Sequence, residues 1–466
     1  MNALTHKPRW YASNLRWYVL IAVVPVMLGL IATAYWGTQE WLASKANQTQ
    51  IASWAREGIP YNNVSLKEWY TKRTYTAGTE DWFTVLDLCT WGTGTKSAEK
   101  LPYLGADGKE LPELIPGCPW PEEALVGDYL KEMEPAIRLI EKACQHPTPV
   151  RFPIGFDGFG TLLEYQQNSR SVLRLLNLDF DYAYHQRDTK RAMRDLKLMQ
   201  ATAKAFDSRE TIVSELVNVA LRGMRLACIR RSLTESIWND DDLALLRSSL
   251  SSEESFGERW KDMMHGERAF GLAGIASLRA TGGLNEPGFE LNNALHPLTP
   301  SVEKTLIEFY TKAGNLPNTD LKGLRSWASA FSEESGRASK GSAGVWLSMV
   351  LPAIEAMVSA EISEEDYVRW TRTAIGIRQY KNKKEKWPTR LRDLEEIGLT
   401  IEDYSNANEE VFGYEVDGET VYIWTSELTG QSARTRIRAV RPTVASEYAN
   451  GAQSGVDSLY YVLKLQ

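Results

Sequence analysis

The chain has 466 residues, a formal net charge of −7 and an ordinary apolar content of 43%. An acidic chain without a stripe of lysine and arginine is a poor partner for nucleic acid, and we expect no nucleic acid ligand. The four cysteines form no Cys-x-x-Cys pair, which argues against zinc and thioredoxin-like chemistry.

The N-terminal region carries the strongest signal, because residues 17–39 contain no charged side chain. A helix rises about 1.5 Å per residue, so this stretch can cross a hydrocarbon core of roughly 30 Å. Lys7, Arg9 and Arg16 precede it, and positive charge tends to stay in the cytosol. We therefore expect a cytosolic basic head at 1–16, a transmembrane helix in contact with the lipid bilayer at 17–39, and residues 40–466 outside the cytoplasm.

A cleaved signal peptide is the alternative interpretation of the same segment. Ala32-Thr33-Ala34 has the small-x-small form of a cleavage site, so removal of the segment after Ala34 stays open. Tryptophan and tyrosine residues flank the uncharged run on both sides, as they do in retained membrane helices. This aromatic belt and the length of the run favour a retained anchor in the cytoplasmic membrane.

Residues 40–160 are rich in proline and tryptophan and predict an ordered but irregular region. Within it, the apolar spacing from Pro121 to Cys144 predicts a helix that breaks near Pro135. Outside the cytosol, Cys89 and Cys118 could form a disulfide.

Residues 161–380 repeat apolar side chains at helical spacing and predict a helical bundle. The segment Thr211 to Leu233 has two apolar stripes, so it should be a central helix. The run Asn239-Asp240-Asp241-Asp242 precedes an apolar pattern, and we interpret it as a helix cap, not as a metal cluster. Residues 280–302 predict a long loop.

Residues 381–466 predict a small α+β domain. Trp387 to Leu394 predicts a turn and a short helix, and Asp417-Gly418 between alternating apolar runs predicts a β-hairpin. A loop made of these two residues places Tyr414 opposite Val421 and Phe412 opposite Ile423. The expected fold class is thus mostly α: one transmembrane helix, an irregular helical bundle and a C-terminal α+β cap with a hairpin.

The layout of the chain resembles a large set of membrane-anchored helical proteins of planctomycete-type bacteria, which have no assigned activity. The similarity lies in the stretch from Arg170 to Arg231, in Gly266-Glu267-Arg268, and in the Trp387-Pro388 to Leu394 element with the hairpin after it. It covers most of the chain in short patches. It implies a single-pass protein of the cytoplasmic membrane that faces a periplasm-like space, and it brings no catalytic residues.

No motif in the sequence supports a catalytic, cofactor-binding or metal-binding residue, and we predict no cofactor. Gly155 to Gly160 is glycine-rich but lacks the strand and spacing of a phosphate-binding loop, so we interpret it as a turn. His265 lies beside Glu267 and Arg268 and is the best candidate for an acid or base, although a polar helix face explains it better.

We expect an interaction or scaffold role in the cell envelope, with an envelope protein as partner, and favour this over an enzyme. One alternative is an envelope hydrolase that uses paired carboxylates drawn from Asp157, Asp179 and Asp181. The other is a pilin-like secretion subunit, suggested by an apolar N-terminal helix and a C-terminal sheet.

Overall fold

A computed structural model describes residues 10–91, 101, 114–235, 237–250, 256–281, 285–286, 289–290, 299–316, 321–338, 344–418, 420–424 and 463–465, with the side chains of the first helix given from residue 23. The fold is mostly helical, as expected, with a small C-terminal sheet. The helices are α1 (Trp10–Glu57), α2 (Asn63–Arg73), α3 (Thr79–Trp91), α4 (Glu123–Glu132), α5 (Glu134–Ala143), α6 (Glu164–His185), α7 (Thr189–Ala205), α8 (Ile212–Ser232), α9 (Asp240–Ser248), α10 (Phe256–Thr281), α11 (Pro300–Gly314), α12 (Leu321–Ala338) and α13 (Gly344–Lys384).

The strands are short and pair only with antiparallel neighbours in the described part of the chain. β1 (Asn285–Glu286) pairs with β2 (Phe289–Glu290), and β3 (Gly413–Asp417), β4 (Thr420–Trp424) and β5 (Leu463–Leu465) form a second sheet in that order. A 3-10 helix at Leu391–Ile397 precedes the second sheet, where the sequence predicted a turn and a short helix.

Several predicted boundaries are confirmed. The helix expected from Pro121 to Cys144 breaks at Met133, so that Pro135 falls in the first turn of α5, where its missing N–H is harmless. Asn239 caps α9, because its side chain accepts a hydrogen bond of 2.8 Å from the Asp242 N–H. The acidic run is therefore a helix start.

The hairpin is present, but its predicted register is wrong by two residues. Tyr414 lies opposite Ile423, not Val421, and Asp417 lies opposite Thr420. Gly418 therefore directly follows the paired residues of β3, and it adopts a left-handed φ of +62°. Glycine tolerates this conformation better than aspartate does, which explains why it occupies the first loop position.

Residues 40–160 are more helical than their composition indicated, since they include the end of α1 and all of α2 to α5. The four cysteines, all in described segments, are free thiols. Cys89 is buried and Cys118 is exposed, so the structure lacks the disulfide that the sequence allowed between them. That pairing stays a prediction.

Two hydrophobic cores share α8 and α13. The larger core contains side chains from α3 to α9, from the second half of α13 and from the C-terminal sheet. The smaller core contains α10, α11, α12, the first half of α13 and Ile212 at the start of α8. Because α8 and α13 contribute to both cores, their contact holds the two halves of the body together.

The start of α8 is fixed against α10. Thr211 and Ser214 form a reciprocal capping box, and the Ile212 N–H donates to the Glu267 carboxylate at 2.9 Å. Burial raises the pKa of Glu267 to about 7. Gly266 lets the two segments approach closely, because a Cβ there would lie 2.3 Å from the Glu210 carbonyl oxygen.

Helix α1 has two different halves. Residues 23–39 are exposed, whereas from Glu40 onward one face turns to the body and includes buried Ala43, Asn47 and Trp54. No helix in the described part of the chain combines the length and the apolar content that crossing a membrane requires. The first part of the predicted span, residues 17–22, lies outside the residues with described side chains.

The Glu267→Gln variant should gain stability over the wild type as pH rises. The pKa of Glu267 is higher in the folded than in the unfolded protein, so its contribution is full below about pH 4.5 and is lost as pH rises through about 7. Glutamine keeps an acceptor for the Ile212 N–H and does not titrate. From pH 5 to pH 8 the unfolding free energy of the variant should rise by about 2–3 kcal/mol relative to that of the wild type. Urea unfolding at both pH values measures this, and Glu402→Gln at an exposed position should show no such trend.

The Gly266→Ala variant should be destabilised by about 1–3 kcal/mol, since the added methyl group must push the Glu210 backbone away. Gly336→Ala in α12 is the matched control. A methyl group there meets nothing within 4 Å, so helix propensity should stabilise the protein by up to about 1 kcal/mol. Equal effects of the two substitutions on the unfolding midpoint would contradict the close approach of α8 and α10.

Candidate functional site

A cavity of about 620 Å³ lies between the two cores, bordered by α7, α8, the start of α10 and α13. This volume is within the range of small-molecule sites. Basic side chains in its lining outnumber acidic ones. The basic residues are Arg73, Lys204, Arg209, Arg222, Arg225, Arg259 and Arg372, and the acidic residues are Asp207, Glu361, Glu364 and Glu365.

Two helix faces supply five of these eleven charged side chains. Asn218, Arg222 and Arg225 follow one another on α8 at spacings of four and three residues, which places them on one face. Glu361, Glu364 and Glu365 occupy the facing surface of α13, and Arg222 contacts the first two of these. The cavity is therefore a polar seam between two otherwise apolar central helices.

Arg222 is the hub of this seam. Its guanidinium donates to Glu364 at 2.5 and 2.7 Å, to Glu215 at 3.0 Å and to Glu361 at 3.3 Å. Although burial opposes the charge, Glu364 and Glu215 raise the pKa of Arg222 well above its usual value. Burial raises the pKa of Glu215 to about 8 despite this contact, because one arginine does not fully compensate three carboxylates.

A second ion pair in the cavity lining joins Arg209 and Asp207. The Arg209 guanidinium donates to both oxygens of Asp207, at 2.7 and 2.5 Å. Burial opposes the charge of Asp207, but these bonds lower its pKa below the usual value. Arg259 binds Glu361 at 2.8 Å, so the acidic side chains on this side are already engaged by arginines.

Arg225 differs from these arginines. Its Nε donates to the Leu196 carbonyl at 3.0 Å and its Nη2 to the Ser249 hydroxyl at 2.5 Å, and no carboxylate contacts it in the described part of the chain. Burial lowers the pKa of Arg225 to about 10, which still leaves it charged at neutral pH. It is a buried cation held by neutral acceptors.

The lining also contains buried polar atoms that lack a hydrogen-bond partner among the described residues. The Oδ1 of Asn218, a residue only 2% exposed, has no hydrogen-bond partner among the described residues, and neither has the Nε of Arg372. Buried polar atoms normally find partners, so such atoms next to a cavity indicate where a ligand could bind.

The structure does not bring together the carboxylates considered for a hydrolase. Asp179 is fully buried between Arg191 and Arg194, and Asp181 binds Arg231 at 2.8 Å. Asp157 lies in the turn at residues 155–160, where its carbonyl accepts from the Gly160 N–H. None of these three carboxylates lines the cavity described above.

The remaining sequence candidates have structural explanations. Residues 155–160 form a turn in which Gly158, with a φ of +48°, packs against the backbone of Gly274 in α10. Burial, with nearby Arg268 and Lys261, lowers the pKa of His265 to about 4, so its imidazole is neutral at physiological pH. Among the described residues, no group of three or more His, Cys, Asp and Glu side chains is placed to hold a metal ion.

The sequence contains a polar stripe on α8 that could have indicated the cavity, but the prediction of a central helix used only its apolar stripes. Glu215, Asn218, Arg222 and Arg225 form a third stripe on α8, between the two apolar stripes that predicted a central helix. Charged residues on a buried helix require partners, and Glu361 and Glu364 repeat at similar spacing on α13. The sequence alone does not show which helices pack against each other.

Comparisons with protein-family models, with curated proteins and with solved structures each found no match for this chain.

Replacement of Arg222 by methionine should destabilise the protein by about 3–5 kcal/mol, since it leaves three buried carboxylates without their shared cation. The loss should be smaller at pH 5 than at pH 7, because burial raises the pKa of Glu215 and of Glu364, and a protonated carboxyl group does not need the arginine. Arg138→Met, which removes an exposed pair with Glu134, should change stability by less than about 1 kcal/mol. Chemical denaturation at pH 7 and pH 5 tests this, and similar losses for both variants would argue against the hub.

Proposed function

We propose that this chain is a single-pass protein of the cytoplasmic membrane whose helical body lies outside the cytoplasm and acts by binding, in an interaction or scaffold role in the cell envelope. The observation that carries the proposal is α1. It is one continuous helix with an exposed apolar half and a half docked on the body.

The docked half is held at residues about two helical turns apart. Glu40 accepts from the Ser301 N–H at 2.9 Å, and Asn47 donates to the Pro300 carbonyl at 2.9 Å. Further along, the Arg268 guanidinium lies 4.0 Å from the ring centre of Trp54. These contacts fix the direction in which the other half of α1 leaves the body.

The other half exposes apolar side chains around the helix. Val26, Leu28, Leu30 and Ile31 are each about 60% exposed. A helix that is apolar on all sides is stable only where its surroundings are apolar, and large exposed apolar patches mark interfaces with proteins or membranes. Together with the uncharged run at 17–39 and the basic residues before it, this favours lipid as the partner.

Two further observations support a binding role for the body. The buried carboxylates near the cavity are mostly engaged by arginines, which favours a positioned, charged wall over acid–base catalysis. The resemblance to membrane-anchored proteins of planctomycete-type bacteria favours the same placement in the cell.

Charged substitutions in the exposed half should release the protein from membranes. The double variant Leu28→Arg/Ile31→Arg places two charges in the proposed span, each of which opposes insertion by about 2.5–3.5 kcal/mol. Leu42→Arg is the matched control, because Leu42 is a similarly exposed leucine of α1 outside residues 17–39. Carbonate-washed membranes should retain the wild type and the control but lose most of the double variant.

Two outcomes would contradict the proposed anchor, and a third would contradict its orientation. One is a wild-type chain that stays dissolved without detergent. The other is a mature mass that begins after Ala34, which would show a removed signal peptide. A reporter fused to the C-terminus should be active outside the cytoplasm only, and activity confined to the cytosol would contradict the orientation.

A further inference from the structure

We propose that the arginine-lined cavity binds a small hydroxylated carboxylate of the sugar-acid class, with its carboxylate on Arg225 and its body extending along α8 toward Asn218. The inference goes beyond the proposed anchor and concerns only the helical body, so it holds whether or not α1 lies in lipid.

Arg225 lacks a negatively charged partner among the described residues. Arg222 and Arg209 have carboxylates at hydrogen-bond distance, whereas Arg225 has only the Leu196 carbonyl and the Ser249 hydroxyl in the described segments. A buried ion without a counter-ion is unfavourable, and only 8% of this residue is exposed. An anionic ligand in the cavity would supply the charge that the chain does not.

The cavity lining determines how many negative charges the ligand can carry. Arg225 is a single uncompensated guanidinium, and its planar fork matches the two oxygens of a carboxylate. Each of the other arginines in the lining already binds a carboxylate: Arg73 binds Asp262, Arg209 binds Asp207, Arg222 binds Glu364, Arg259 binds Glu361 and Arg372 binds Asp403. These surroundings favour a monoanion over a doubly charged phosphate ester.

Asn218 would bind the other end of the ligand. The unsatisfied Oδ1 of Asn218 needs a donor, which a hydroxyl group provides. Asn218 precedes Arg225 by two helical turns on the same face, a separation of about 10 Å along the axis that long side chains shorten. A polar molecule about the size of one sugar ring, with an acid at one end and hydroxyls at the other, meets these demands within the 620 Å³ available.

The test uses the full chain in detergent and three probes built on one ring: glucuronate, glucose and glucose 6-phosphate. Titration calorimetry and thermal unfolding should show saturable binding of glucuronate, at least tenfold weaker binding of glucose 6-phosphate, and no binding of glucose. Absence of saturable glucuronate binding would overturn the proposal, and tighter binding of the phosphate would overturn the assignment of a monoanion.

Variants locate the site. Arg225→Gln should weaken glucuronate binding at least tenfold, while the melting temperature without ligand stays equal or rises because an uncompensated buried charge is gone. Asn218→Ala should weaken it several-fold, and Arg138→Gln, which lies outside the cavity lining, should leave it unchanged. If Arg225→Gln fails to fold, Arg225→Lys keeps the charge but loses the fork, and should retain weakened binding with the same order of probes. Wild-type affinity in Arg225→Gln or in Arg225→Lys would overturn the proposal.

Membrane fractionation of the same chain separates this result from the anchor. A chain that binds glucuronate but does not sediment with membranes would contradict only the proposed anchor. A chain that sediments but does not bind would contradict only the ligand.

Discussion

The buried ion pairs between α8 and α13 are the constraint on which the body of this protein depends. Arg222 joins three carboxylates from the two helices, and Arg378 of α13 donates to the carbonyls of Leu233 and Thr234 just beyond α8. Because both helices also contribute to both hydrophobic cores, their relative position fixes the two halves of the body. These charged groups are shielded from water, so any other arrangement of the two helices would leave them unpaired and is disfavoured.

The cavity lies along the same contact. Its lining includes Arg222 and Arg225 of α8 and Glu361, Glu364 and Glu365 of α13. Charges in this lining are paired with opposite charges: Arg222 binds Glu364 across the seam, and Arg209 binds Asp207 within the segment before α8. Arg225 has no carboxylate partner within the described residues, and the proposed ligand site rests on this difference.

The secondary structure of the chain was largely predictable, whereas the site was not. Local signals gave the break near Pro135 and the cap at Asn239, because each depends on residues within one turn. The hairpin was also predicted, but its register was wrong, since a choice between two adjacent loop positions depends on the φ angle of Gly418. The cavity was missed because Arg222 and Glu364 lie 142 residues apart.

The sequence by itself determined the helical class of the body, the positions of most helices and the uncharged N-terminal run, because these follow from composition and from periodicity over short distances. Only the tertiary structure decided that Gly266 admits the Glu210 backbone and that Asp179 and Asp181 serve separate arginines. It also decided that Arg225 faces a cavity without a carboxylate partner among the described residues. The physical reason is that burial and charge compensation are properties of residues brought together from distant parts of the chain, and no local pattern specifies them.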